Sequence, residues 1–593
     1  MNVNMTRIEK EAIRYLAEHE FSSQRYVANE IGCSLGMINQ ILKNLKMKKL
    51  IDNNNHLTKE ARELVEQNSP RRAVILAAGA GMRMVPINVE ISKGLLEVKR
   101  QALIERTICQ LQEKGVMDIT IVVGFMKEQY EYLMDQYQVN LIVNARYAKK
   151  NNLYSLYLAR EYLENAYIVP CDIWCEKNLF RTKEMDSWYL VQEEKTRESN
   201  TCLTSKGQLV LAKSQEVGNK LIGIAYLNAK TGELVKQRLE EMVEDETYEN
   251  SFWEETLWEG KRFLVPGRVD GEKSAFEINS YEDLRQLDPT ARHLKSDVVE
   301  LIAEVLQTYP EKINNIRVLK KGMTNRSFRF SCLNKQYIMR IPGEGTDLLM
   351  NRQQEYDVYS AIKNENLCDK VCYLNSDNGY KITEYLDGVR TCNPYNKEDV
   401  AQCMRFLREF HRRNLQVSHT FDLFGKIEYY EQLWEGEASC YRDYMQTKKH
   451  VFKLKKYIDS MEKETTLTHI DAVPDNFLIQ GDKIYLIDWE YAGMQDPHLD
   501  VAMFAAYAMY QREHVDQLID AYFEEACPKP VRLKIYCYLA AAGLLWSNWC
   551  EYKGKLGVEF GEYSLRQYRF AKDYYKIVQE ELGNGMMDDC ENM

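Results

Sequence analysis

The stretch Thr468–Glu490, THIDAVPDNFLIQGDKIYLIDWE, constrains this chain more than any other part of it. It opens with His469, Asp471 and Asn476 in the spacing H-x-D-x-x-x-x-N. Asp488 follows twelve residues after Asn476, at the end of the apolar run Ile484-Tyr485-Leu486-Ile487. Phosphoryl transfer asks for this set. One carboxylate orients and deprotonates an attacking hydroxyl, while an amide oxygen and a second carboxylate hold Mg²⁺ on the nucleotide phosphates. Asp471 fits the first role, and Asn476 with Asp488 the second. A strand ending at Asp488 aims that side chain back into the loop holding Asp471. A solvated acidic loop beside an edge strand has no need of four such residues in register.

The segment resembles the catalytic loop of the choline kinase and aminoglycoside phosphotransferase family, relatives of the protein kinases. His-x-Asp stands for His-Arg-Asp and Ile-Asp-Trp-Glu for Asp-Phe-Gly, and the continuation Trp489-Glu490-Tyr491-Ala492-Gly493 is more similar to the choline kinases. The resemblance implies a bilobal kinase-like domain over residues 290–593, using ATP. On it, Arg340 falls where such kinases keep a basic residue on the nucleotide phosphates, and Glu355 is placed to pair with it. Lys320–Phe330 reads as a hairpin over phosphates, and Ile382–Gly388 as the hinge that contacts adenine. Trp546 and Trp549 are spaced to share one helix face. With Trp489, and Tyr552 or Tyr563, they make an aromatic box like the one choline kinases use, or else a core stripe. An aminoglycoside kinase would need an acidic pocket instead, for which the Glu559 region is the candidate.

Earlier in the chain, Ala73–Gly79 is a buried strand running into Gly79-Ala80-Gly81-Met82-Arg83, then Ser92-Lys93-Gly94-Leu95-Leu96-Glu97-Val98. Glycines let the backbone approach a triphosphate and present N–H groups to it. Arg83 and Lys93 would neutralise the phosphates. A P-loop would require G-K-[ST], and a dinucleotide fold a third glycine. Helix over 101–114 and strands over 118–124, 140–144 and 166–170 alternate as in a mostly parallel sheet. The last strand delivers Asp172 at its carboxyl end, where open α/β sheets place ligands, so Asp172 is the expected Mg²⁺ ligand. Residues 70–288 thus resemble the sugar-phosphate and CTP:phosphocholine nucleotidyltransferases, with a Rossmann-like α/β fold. Their second metal segment corresponds to Phe276–Leu284, with Asn279 where many members carry Asp and Glu277 as its substitute. Lys150–Tyr157 resembles the phosphocholine branch, and Tyr154, Trp174 and Trp253 are the aromatics offered to a quaternary ammonium, each with core packing as the alternative.

Residues 1–68 read as a helix, then helix–turn–helix over Ser22–Ile51, with a turn at Gly32-Cys33, a Ser34 cap, and Asp52–Asn55 as a wing turn. The segment resembles the winged helices of bacterial regulators. Asn39, Gln40 and Lys43 are the candidates for a DNA groove, while docking or dimerisation stays open, as does an oligomer.

The chain is therefore expected to be multidomain, α/β and α+β, in the order winged helix, nucleotidyltransferase, kinase. A net charge of −11 argues against coating nucleic acid or anionic membrane as the main task. Fifteen cysteines without a C-x-x-C pair read as free thiols of a reducing cytoplasm, and no apolar run spans a bilayer. The resemblances place two activities in series. The kinase would make phosphocholine from choline and ATP, and the transferase would turn phosphocholine and CTP into CDP-choline for a cell-surface polymer. Ethanolamine or an aminoalkylphosphonate as substrate, and a transcriptional regulator with sensor domains, are the rival expectations.

Overall fold

Serine and threonine caps open the chain. The computed structural model describes residues 5–583 apart from 88–90, 214–216, 320–324, 344–348, 524–525, 556–557 and 559. Helix α1 (Arg7–Glu18) starts on a Thr6/Glu9 capping box; Ser23, Ser34 and Thr58 cap α2 (Gln24–Glu30), α3 (Leu35–Met47) and α4 (Lys59–Asn68). A bridge between Ile51 and Leu57 closes the turn between α3 and α4. Ile13, Val27, Ile38, Leu42 and Leu45 fill the small core of this helical module, joined by Met185 from the following domain.

The chain divides into two compact units, Met1–Glu300 and Leu301–Met593. In the first, β1 (Arg72–Ala77), β2 (Asp118–Val123), β3 (Asn140–Val143) and β4 (Ala166–Pro170) pair in parallel, with β1 between β2 and β4. The sheet continues through β5 (Trp188–Thr196), β6 (Thr201–Leu203), β7 (Gln208–Leu211), β8 (Gly218–Leu227) and β9 (Arg262–Val269) in the order β3–β2–β1–β4–β8–β5–β9–β7–β6. Both faces of β1 are buried, so its run of alanine, valine and isoleucine shows no alternation. Helix α5 (Leu103–Glu113) covers one face and α6 (Asn152–Leu158) the other. The loops after β1 and β4 leave adjacent strands at the same end, which brings Gly79–Arg83 beside Asp172.

In the second unit an antiparallel sheet runs β10–β11–β12–β14–β13, from β10 (Asn314–Val318), β11 (Asn325–Cys332), β12 (Lys335–Pro342), β13 (Val371–Leu374) and β14 (Lys381–Glu384). Helix α7 (Arg352–Ile362) lies between β12 and β13 in sequence. The rest is mostly helical. β15 (Thr466–Thr468) leads into the catalytic-loop motif, which ends at β16 (Phe477–Gln480), and β16 pairs with β17 (Lys483–Leu486). Helices α8 (His498–Tyr507), α9 (Lys529–Lys555) and α10 (Glu562–Leu582) build the core behind it. Every described cysteine is a free thiol, and among the described residues no helix is long and apolar enough to cross a membrane.

Candidate functional sites

Two cavities gather the motifs, one in each unit. The first, about 450 Å³, is lined by Gly79, Gly81, Arg83, Lys93, Asp172 and Asn279 among others, so the six polar and glycine positions expected of the transferase share one space. Gly81 sits at φ 57°, a conformation open to glycine, and a Cβ there would meet Lys93 Cβ at 3.3 Å. Lys93 Nζ donates to Asp172 Oδ2 at 2.5 Å and to Asn279 Oδ1 at 2.9 Å, and Arg83 Nη2 donates to the same amide oxygen at 3.0 Å. Asn279 is held by its place just before helix Tyr281–Leu287, whose Asp283 accepts from the Asn279 N–H at 3.0 Å. Asp172 Oδ1 is buried and has no hydrogen-bond partner among the described residues. An orphaned carboxylate oxygen beside an amide oxygen is a donor set that fits Mg²⁺, which takes one or two protein oxygens and completes its shell with water and phosphate. Glu277, the expected substitute, has its carboxyl pushed up by burial and by Asp172.

The aromatics expected here lie elsewhere. Trp253 is fully buried against Tyr189, a core residue rather than a ligand face. Trp174 is covered by the Arg106 guanidinium at 4.1 Å and donates to Glu176 at 2.8 Å, on a strand that pairs with Ala275–Glu277, and it does not line the cavity. Tyr154 stacks on Tyr157 at 5.9 Å; its neighbours Asn152 and Ser155 line the cavity instead. Sequence reasoning passed over a second cavity, about 630 Å³, lined by Phe252, Glu254, Glu255, Trp258 and Phe263. The loop 250–252 borders both spaces, through Asn250 in the first and Phe252 in the second. Burial pushes the Glu254 carboxyl up to about 7; it accepts from Tyr189 at 2.9 Å, and its Oε2 has no hydrogen-bond partner among the described residues.

In the second unit a cavity of about 570 Å³ contains Arg340, Asp471, Asn476, Asp488, Trp546 and Trp549. Arg340 Nη1 reaches Glu355 at 2.6 Å, as its place on β12 opposite α7 predicts, and lies 3.5 Å from both Asp488 and Glu490. Asn476 Nδ2 donates to Asp471, to the backbone oxygen at 2.9 Å and to Oδ2 at 3.0 Å, which leaves the amide oxygen as the group offered to a cation. With Asp488 it makes a hard-oxygen pair that fits Mg²⁺ on the same reasoning. Burial, then Asp488 and Glu490, push the Asp471 carboxyl well above its ordinary value. Burial lowers His469 to about 4, so its ring is neutral and its Nε2 sits 3.1 Å from the Ile487 oxygen.

Ile470 and Asp488 both adopt φ 69°, strain of order 1–3 kcal/mol each that the surroundings must offset. Asp500 supplies part of that hold. Fully buried on α8, it accepts the N–H of His469 at 3.0 Å and of Ile470 at 2.7 Å, and His411 Nε2 lies 2.9 Å from it. The sequence showed Asp500 only as part of a helix start, since its role depends on the backbone of a distant loop.

Trp489 does not join the box. It is fully buried, packed on Phe410 and His469, because it follows Asp488 on the opposite side of the chain. Tyr491, Tyr507 and Tyr563 complete the wall with Trp546 and Trp549, and Tyr552 is absent from the cavity lining. Trp546 meets Tyr491 edge-on at 5.7 Å and Trp549 at 6.0 Å. Of the hairpin expected over the phosphates, Asn325–Phe330 lies on β11, while residues 320–324 fall outside the described residues, as does Glu559.

Comparison with known proteins follows this division. The family described as MobA-like NTP transferase domain matches residues 73–182, and that described as Choline/ethanolamine kinase matches residues 316–539. Choline-phosphate cytidylyltransferase of Streptococcus pneumoniae is 34% identical over 223 residues, 37% of this chain and 96% of that protein. The chain belongs to the choline-phosphate cytidylyltransferase family. Beyond that part, the chain carries a kinase-like domain: Protein LicA of Haemophilus influenzae is 26% identical over 274 residues, 44% of this chain and 99% of that protein. The crystal structure of choline kinase LicA from Streptococcus pneumoniae is 28% identical, with a TM-score of 0.43, covering 48% of this chain and 99% of that one.

Proposed function

We propose that this chain is a bifunctional enzyme that phosphorylates choline with ATP and converts phosphocholine and CTP to CDP-choline and pyrophosphate. The observation that carries the kinase half is the aromatic wall of Trp546, Trp549 and Tyr563 in the same cavity as Asp471. A quaternary ammonium accepts and donates no hydrogen bonds, so ring faces and carboxylates are what can hold it. Asp471 Oδ2 takes the proton of the choline hydroxyl, and Asn476 keeps that carboxylate turned toward the substrate. Arg340, fixed by Glu355, faces the ATP phosphates. Asn476 and Asp488 are the residues that would hold Mg²⁺, which would supply charge neutralisation for the nucleotide phosphates.

In the transferase half, the phosphate of phosphocholine attacks the α-phosphorus of CTP and pyrophosphate leaves. Lys93 and Arg83 stabilise the charge that develops, and the N–H groups around Gly79 and Gly81 receive the phosphates. Asp172 and Asn279 are the residues that would hold Mg²⁺ there. The trimethylammonium end lies against Phe252, Trp258 and Glu254 in the adjoining cavity. The family description of the kinase match names ethanolamine beside choline, which supports ethanolamine as the second reading. Primary ammonium groups want hydrogen-bond acceptors, and the kinase wall is mostly carbon.

The N-terminal module is read as a winged helix. Asn39, Gln40 and Lys43 are exposed on α3, which supports a DNA groove as its partner. Its α1 meanwhile packs on the transferase: Arg7 donates to the Gly267 oxygen at 2.9 Å, and Lys10 pairs with Asp186 at 2.9 Å.

The deciding experiment supplies purified protein with Mg²⁺, ATP and CTP, and offers choline or ethanolamine separately, identifying products by mass. CDP-choline from choline is the expected result. CDP-ethanolamine alone would establish the second reading, and no nucleotide product from either amine would overturn both.

A further inference from the structure

We propose that Asp475, held by Tyr507, is the charged partner of the substrate's cationic head group in the kinase cavity and the residue that makes this site select for charge. The proposal deepens the choline reading above and rests on it. The rings of Tyr491, Trp546, Trp549 and Tyr563 attract a cation, but they also accept a neutral group of the same shape, so the wall alone discriminates weakly. Discrimination needs a negative charge in reach of the wall that is not already committed.

Of the other carboxylates of the cavity, Asp471, Asp488 and Glu490 are committed. Asp488 and Glu490 lie 3.5 Å from Arg340, which Glu355 also shares. Asp471 is bonded by Asn476 at 3.0 Å and is taken up by the role of base in the reading above. Asp369 has a buried Oδ1 without a hydrogen-bond partner among the described residues, but burial pushes its carboxyl up, against the charge a cation needs, with the Lys381 ammonium opposing. Asp475 differs from all of these. It is exposed, lines the cavity, and is ion-paired with no lysine or arginine among the described residues. Its Oδ2 accepts from the Tyr507 hydroxyl at 2.9 Å. The Tyr507 ring stands edge-on to Tyr563 at 6.0 Å, so a residue of the aromatic wall itself fixes the carboxylate at that wall. Burial and Asp475 raise the Tyr507 phenol, which keeps it a donor. Asp475 is carried by the short turn Pro474–Asn476, so the charge that meets the ammonium and the amide beside the hydroxyl end come from adjacent residues of one turn.

The test uses the full chain and two molecules of one shape, choline and its uncharged carbon analogue 3,3-dimethyl-1-butanol. The choline KM and the inhibition constant of the alcohol are measured for the wild type, Asp475→Asn, Asp475→Glu and Tyr507→Phe, with the KM for ATP alongside. Asp475→Asn is expected to raise the choline KM about tenfold and to leave the alcohol's constant within about twofold. Asp475→Glu should restore most of the preference. Tyr507→Phe keeps the charge but frees it, and should raise the choline KM about threefold. An unchanged choline KM in Asp475→Asn overturns the proposal. So does an equal rise for both molecules, which would mean lost shape, or a matching rise in the KM for ATP, which would mean a damaged nucleotide loop. If the wild type does not phosphorylate choline at all, the functional reading itself has failed, a result separate from any of these ratios.

Discussion

At the scale of single residues, the two reactions depend on different side chains, and each can be removed alone. Asp471→Asn keeps the size of the side chain and its contact with Asn476, but it cannot take a proton. Choline phosphorylation is expected to fall about 10²- to 10⁴-fold, the usual worth of a positioned base. CDP-choline formation from supplied phosphocholine and CTP should continue in the same preparation, measured by release of pyrophosphate. Glu254 makes a prediction about pH. Burial holds its carboxyl at about 7, and a carboxyl is charged above its pKa. Between pH 6 and pH 8 the ionised share of such a group rises from about one-tenth to about nine-tenths. Only the ionised form attracts a trimethylammonium group. The KM for phosphocholine should therefore fall severalfold, toward tenfold, across that range, and Glu254→Gln should leave it flat. A wild-type KM that rises with pH would place the ammonium elsewhere.

At the scale of elements, what the sequence revealed and what it hid have physical causes. Asp471, Asn476 and Asp488 were legible because a loop and the strand after it lie close in sequence, and an apolar run ending in an acid says where that acid points. Asp172 was legible for the same reason, at the end of β4. Trp489 and Trp253 were misplaced because an indole near a motif looks the same in sequence whether it faces a ligand or the core. Trp489 is fully buried and meets His469 edge-on at 4.5 Å. Tyr507 comes from α8, and no local spacing links it to Trp546 on α9, whereas Tyr563, at the start of α10, was one of the two tyrosines offered and does line the cavity. The crossing of α9 and α10 also explains a glycine that pattern reading ignores. A Cβ on Gly543 would come within 2.5 Å of the Gln567 backbone oxygen and 2.8 Å of Phe570 Cβ. Backbone cannot step aside as a side chain can, so Gly543→Ala should cost about 1–3 kcal/mol, read as a lower denaturant midpoint for the kinase-like unit. Because α9 carries Trp546 and Trp549, the choline KM of this variant should rise as the helices part.

At the scale of the whole molecule, each unit has a hydrophobic core and a cavity of its own. The helical module belongs with the transferase: Met185 enters the module's core, Arg181 reaches Glu11 at 3.2 Å, and the Asn165 amide donates to the Gln67 oxygen at 3.1 Å. None of these contacts is visible in sequence, since they join the outer face of α1 and the end of α4 to residues more than ninety positions away. A chain cut between Lys295 and Ser296 keeps Asp288 with Lys99, whose N–H it accepts at 2.7 Å, and keeps Ser296 as the cap of helix Asp297–Val305. The two pieces, mixed, should convert choline to CDP-choline after a lag while phosphocholine accumulates in solution. Covalent linkage raises the local concentration of a bound partner, but phosphocholine is free once released, and a small molecule diffuses away well within one turnover at typical rates of about 1–10³ per second. The intact chain should therefore show the same lag as the mixture at equal concentration. Added unlabelled phosphocholine should dilute label from choline equally in both. A shorter lag in the intact chain, with label protected from dilution, would mean that the intermediate passes between the sites without entering solution.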